Sequence, residues 1–372
     1  AERGVTLAID HVDIGLGEVR LVEVAFSLDG VPQLTAKATD AQVTMAGLTP
    51  VNATVNGLKV TLDGPVEEVQ FALDEWRANR ARDPRATGAG GGHKIAFSQG
   101  NLTWTKAFGQ TAKIDAPDVS GEVDAAGGAL HLTTERLSLT AGSALLGPWR
   151  TTLERDEEGT RTDIELDPVV HGGPSILYVR SAAGAVSIKV NVPRSPLSRI
   201  GLPPKALHLG SDPNVEAQIA FDETLAGSAS LTASIVMSRV VFSGVPVDAS
   251  LTLQAAGDVA KGLDVKRGAL KVGPLAANVS GTVKLFADGA RLALAWTARP
   301  VACADVGKEL AAQALGGLGA QLGALAQEVG GVVGLRVSGE AQASGLVTLD
   351  SRDVNATSFT MTANDTCGLA LF

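Results

Sequence analysis

Apolar residues recur at every second position over most of this chain. Val279, Val283 and Leu285 share one parity, with Ser280, Thr282 and Lys284 on the other, and Leu292, Leu294 and Trp296 repeat the pattern against Ala293, Ala295 and Thr297. A period of two places alternate side chains on opposite faces of a strand. Gly273-Pro274 and Asp288-Gly289 are turn pairs that suit hairpin ends. Residues 263–303 therefore predict an antiparallel meander with one apolar face. The opening residues use the same grammar: Leu7 and Ile9, then Val12 and Ile14, then Val24, Phe26 and Leu28, with Asp29-Gly30 as a turn. Turn signals arrive about every eight to twelve residues, the rhythm of an all-β architecture.

Two stretches break into helical spacing. Asp63-Gly64-Pro65 is a start signal, Glu67 and Glu68 suit the positive end of the helix dipole, and Val69, Leu73 and Trp76 recur on one face. This predicts a helix over 65–82, followed by a flexible glycine-rich loop over 85–93. After Cys303 the leucines Leu315, Leu318, Leu322 and Leu325 share a helical face, which predicts a second helix over 305–328. Its glycines weaken it by about 1 kcal/mol each relative to alanine. Glu309, Glu328 and three glutamines make it a poor membrane span. Pro193, Pro196, Pro203 and Pro204 interrupt the strand pattern. They predict a connection at 193–204 between an N-terminal β-rich half, 1–192, and a C-terminal one, 205–372, with a short helical turn at Leu197–Ile200.

Composition narrows the chemistry. Hydrophobic residues are 45% of the chain but aromatics only 4%, which leaves no stacking surface for bases or sugars. The net charge of -9 argues against nucleic acid as a partner, because phosphates demand a basic footprint. His11, His93, His131, His171 and His208 are scattered without metal-ligand spacing. There is no Gly-x-Ser-x-Gly elbow and no His-Glu-x-x-His. Gly91-Gly92-His93-Lys94 lacks the Ser/Thr and the helix of a phosphate loop. These features predict neither an enzyme nor a bound cofactor. The two cysteines, Cys303 and Cys367, form either one disulfide, as export to an oxidising compartment favours, or two buried thiols.

Three segments echo one another: Val119-Ser120-Gly121-Glu122-Val123, Val279-Ser280-Gly281-Thr282-Val283 and Val337-Ser338-Gly339-Glu340-Ala341. Their unequal spacing excludes a fixed-period solenoid. The opening RGVTLAIDHVDIGLGEVRLVEVAFSL, the strand-then-helix arrangement through Trp76 and the stretch GALKVGPLAANVSGTVKL resemble the AsmA-like family, which includes the TamB-type proteins of Gram-negative envelopes. The resemblance implies a mainly β fold of elongated, curved antiparallel sheet with a taco-like apolar groove. It also implies a periplasmic location, an inner-membrane anchor and carriage of phospholipid or another acyl-chain lipid between membranes.

The expected function is accordingly a lipid-binding and lipid-transfer module. Its groove is expected to be lined by one parity of the strands: Leu102, Trp104, Leu251, Leu253, Val279, Val283, Leu292 and Leu294. Leu318 and Leu322 are expected to pack onto the same face from the second helix. The alternative is a structural or scaffolding envelope protein of closed β-sandwich domains without a ligand, since any sandwich also has one apolar face per sheet.

Overall fold

The structure is a computed structural model that describes residues 4–81, 94–124, 129–142, 144–167, 169, 172–207, 209–242, 245–273, 275–286, 289–305, 335–350 and 358–371. The loop expected at 85–93 and the helix expected at 305–328, with Leu318 and Leu322, lie essentially outside the described residues. The fold is mainly β, as the alternation predicts. It divides into two compact units, Ala1–Ser187 and Ile188–Phe372. The boundary between these units falls inside strand β12 (Val186–Pro196). Proline deletes one donor but leaves the backbone extended, so the strand runs on through Pro193. The short turn near Leu197 is present as a 3₁₀ helix, Ser198–Ile200, closed by Gly201 in the left-handed region.

The first unit contains β1 (Val5–Ile14), β2 (Glu18–Leu28), β3 (Leu34–Ala46), β4 (Thr49–Asn56) and β5 (Lys59–Asp63), followed by helix α1 (Val66–Ala81). It continues with β6 (Lys94–Thr105), β7 (Ala112–Asp124), β8 (Leu130–Ala141), β9 (Ala144–Arg155), β10 (Gly159–Glu165) and β11 (Ser175–Ser181). Neighbours in sequence pair antiparallel except around α1. There β4 and β5 run end to end between β3 and β6, antiparallel to β3 and parallel to β6. A parallel pair needs a crossover, and α1 supplies it.

A line of backbone irregularities crosses this sheet. Glu23 in β2, Gln99 in β6 and Asp118 in β7 have φ of 50°, 55° and 57°, and Gly57 between β4 and β5 has 62°. The apolar parity of each strand changes at this line. Leu21 precedes it and Val24 follows, Ala38 gives way to Ala41, and Phe97 to Leu102. On an unbroken pleat, that change would send half of each strand's apolar residues to the other face. Instead they meet. Val24, Ala38 and Ala41 form one cluster with Leu21, Val55 and Leu58. Phe97, Ala116 and Val119 form another that includes Leu102, Leu132 and Leu137. Left-handed residues stand at this line in β2, β6 and β7, and between β6 and β7 the register also shifts, as at a β-bulge.

Helix α1 ties distant strands of the unit together. Trp76 Nε1 donates to the carbonyl of Gly4 beside β1 at 2.8 Å, and Arg180 Nη1 of β11 donates to Gln70 Oε1 at 3.0 Å. Arg155 at the end of β9 pairs with Asp74 at 3.6 Å. In a flat sheet, β1 and β11 would stand nine strand spacings apart, roughly 43 Å. Gln70 and Trp76 are separated by only ~9 Å along the helix. The sheet of this unit is therefore strongly coiled, and Val69 and Ala72 of α1 are buried in the process.

The second unit is a longer meander of β13 (Asn214–Glu223), β14 (Ser228–Phe242), β15 (Val245–Asp258), β16 (Gly262–Val272), β17 (Leu275–Phe286) and β18 (Gly289–Ala298). Strand β21 (Glu340–Asp350) then pairs with β18 and β22 (Ser358–Asp365) with β21. The short β19 (Val301–Ala302) also pairs with β21, and β20 (Leu335–Ser338) pairs with β23 (Gly368–Leu371). Cys303 and Cys367 are disulfide-bonded, with Cα atoms 5.7 Å apart and 64 residues between them in sequence.

Candidate functional site

Direct cross-strand partners share a face, so the register assembles the expected lining residues one by one. In the second unit, Leu251 faces Leu270, Val279 faces Trp296, and Gly281 faces Leu294. Leu263, Val283, Leu292 and Leu349 form one transverse row over β16, β17, β18 and β21. Val279 lies over Gly268, the partner of Leu253. Leu251, Leu253, Val279, Val283, Leu292 and Leu294 are thus brought onto a single apolar face. Leu102 and Trp104 lie on the apolar face of the first unit. Leu102 packs on the Phe97 cluster, and Trp104 faces Leu62 and Ile114 while donating its Nε1 hydrogen to the Gly64 carbonyl at 2.8 Å.

The two apolar faces differ in how open they are. In the second unit the centre is covered: Leu263 is 0% exposed, Val283 2% and Leu253 3%. Leu349, at its margin, is 40% exposed. In the first unit the face opens toward β1, where Leu7, Ile9, Val12 and Ile14 all stand exposed, Ile14 at 83%. They oppose Phe26, Val24, Leu21 and Val19 of β2, so they extend the same apolar face to the edge of the ladder. These four residues were absent from the expected lining. Their alternation was visible, but nothing in a local pattern reveals that, among the described strands, β1 pairs with β2 alone.

Charge is kept to the other face and to the strand ends. Arg20 reaches Asp40 at 2.5 Å, Lys94 reaches Glu122 at 3.3 Å, and Arg150 sits between Glu135 at 2.8 Å and Glu165 at 3.1 Å. The two carboxylates, Glu135 first, hold the Arg150 guanidinium more firmly in its charged form. His11 Nε2 lies 2.9 Å from Asp13 Oδ1 in an exposed pair on β1. Among the described residues no three His, Cys, Asp or Glu side chains converge on a common point. No described helix is long and apolar enough to cross a membrane.

No protein-family model, curated protein or solved structure matches this chain. Its chemistry must be read from its own geometry. That geometry offers an apolar surface made by strands.

Proposed function

We propose that the protein is a lipid-binding and lipid-transfer module of the cell envelope, and that its apolar β-surface screens acyl chains from water. The observation that carries this reading is the exposed row Leu7, Ile9, Val12 and Ile14, continuous with the buried apolar face behind it. A contiguous apolar patch rimmed by polar residues marks a ligand, membrane or partner surface. Covering it with hydrocarbon yields about 25 cal/mol per Å². Acyl chains need no specific polar partner, which suits a surface whose exposed row is aliphatic. The Cys303–Cys367 bond fits maturation in an oxidising compartment, and the periplasm is the compartment proposed. The resemblance to AsmA-like proteins supports the same reading, including a phospholipid cargo.

Native mass spectrometry of gently purified protein, together with uptake of a fluorescent acyl-chain lipid, tests the proposal. Bound lipid and saturable uptake are expected. Lipid-free protein that takes up none overturns it. The second reading, a scaffold of closed β-domains, is favoured by the low exposure of Leu263 and Val283 in the second unit. It predicts folded protein with no uptake.

A further inference from the structure

The second unit carries a concavity of about 690 Å³ on the face opposite its apolar rows. Its lining comes from three successive transverse rows, with Ile219, Ala233, Leu253 and Gly268 in the middle one. The neighbouring apolar residues Ile235, Leu251 and Leu270 do not line it, which places it on the polar face. By register, two transverse rows cross it: Gln218, Ser234, Thr252 and Ala269, then Ala220, Thr232, Gln254 and Arg267.

Two cations mark its ends, Lys189 of β12 and Arg267 of β16. Neither forms an ion pair among the described residues. Some strand cations have a carboxylate partner, as Arg20, Lys94, Arg150 and Arg161 do. No acidic residue lines the trough; Asp222 and Asp264 occupy the next row out. In a chain of net charge -9, an acid-free trough with two unpartnered cations is an anion site in search of its anion. The side chains between the cations supply both donors and acceptors, as amides and hydroxyls do, which matches the peptide group. The trough holds no aromatic platform on which a sugar ring or base would stack.

We propose that this trough binds an extended acidic peptide segment of a partner protein, laid across the strands with a carboxylate at each cation. From β13 to β16 is three strand spacings, ~14 Å, and Lys189 stands beyond β13, so the two acidic residues are roughly four to six positions apart in an extended chain. The site belongs to the second unit, on the face opposite that unit's own apolar rows, and does not depend on the proposed lipid-binding reading.

The test is a titration, followed by backbone NMR shifts or by fluorescence anisotropy, with a labelled peptide of glycine and serine carrying two glutamates five positions apart. Saturable binding is expected, weakening with salt. Glutamine in place of both peptide glutamates, or Lys189→Gln or Arg267→Gln in the protein, should weaken it at least tenfold. Thr252→Val, which removes a hydroxyl without changing charge, should weaken it severalfold. These are surface substitutions, and circular dichroism confirms the fold. Absence of saturation, or equal binding by the neutral peptide or by the cation variants, overturns the proposal. Tighter binding of hexagalacturonate than of the peptide assigns the trough to an acidic saccharide and overturns it as well.

Discussion

Val279 occupies the space that a side chain on Gly268 would need. A β-carbon placed on Gly268 would lie 2.8 Å from Val279 Cβ and 2.8 Å from the Val279 carbonyl oxygen. The glycine in GALKVG is therefore a packing requirement of the apolar face, where Val279 closes over the β16 backbone next to Leu253. Gly268→Ala should destabilise the protein by about 1–3 kcal/mol through overpacking. Adding Val279→Ala should restore only part of it, because the carbonyl contact remains. Denaturant midpoints of the three variants check this.

The apolar face responds to charge according to depth. Val283 is 2% exposed, so Val283→Asp buries an unpaired carboxylate and should cost several kcal/mol or abolish folding. Ile14→Asp, at an exposed position on β1, should leave the thermal midpoint nearly unchanged. On the proposed function it should sharply reduce lipid uptake. Retained uptake in folded Ile14→Asp protein would count against the β1 row as the lipid surface.

Glu23 holds a left-handed backbone at φ 50°, a conformation costly for side chains with a β-carbon. Glu23→Gly should be neutral or stabilise by up to about 1 kcal/mol, and Glu23→Ile should destabilise by a comparable amount. Equal stability of the two variants would show that the irregular line across β2 does not demand this conformation.

Asp63 joins β5 to the end of β6. Thr105 Oγ1 donates to it at 2.6 Å and Lys106 Nζ at 3.0 Å, and these bonds, Thr105 first, lower its pKa below the usual carboxylate value. A depressed folded pKa contributes stability that is fully present above the unfolded value, about 3.9, and lost as pH falls through the folded value. Thr105→Val should therefore reduce stability at pH 7, with the difference from wild type shrinking below pH 4. Urea midpoints across pH 2–7 measure it. A difference that persists unchanged at the acidic end would refute the linkage.

Reduction of Cys303–Cys367 should loosen the second unit. The chain-entropy estimate for the 64-residue separation is about 4 kcal/mol. Alkylation of native protein should label neither cysteine, and mass should rise by two labels only after reductant. Two labels without reductant would dissolve both the stability claim and the argument for an oxidising compartment.

Strand identity was legible because alternation is a local property: each peptide turns the next side chain over, whatever the rest of the chain does. The meander over 263–303, the helix at 65–82 and the turn at Leu197 emerge from spacing, proline and charge alone, and the structure places helix α1 at Val66–Ala81. Apolar content on one parity also fixed which residues share a face within each strand. The rest is non-local. That the parity change at Leu21 and Val24 keeps both residues on one face depends on the backbone of Glu23, set by its neighbours on β1 and β3. Whether an apolar residue is covered depends on the strands beside it and on how they coil. Val283 and Ile14 follow the same alternation, yet among the described residues one has partners on both sides and the other on one side only. The trough between Lys189 and Arg267 gathers residues from five strands, and no window of sequence holds them together.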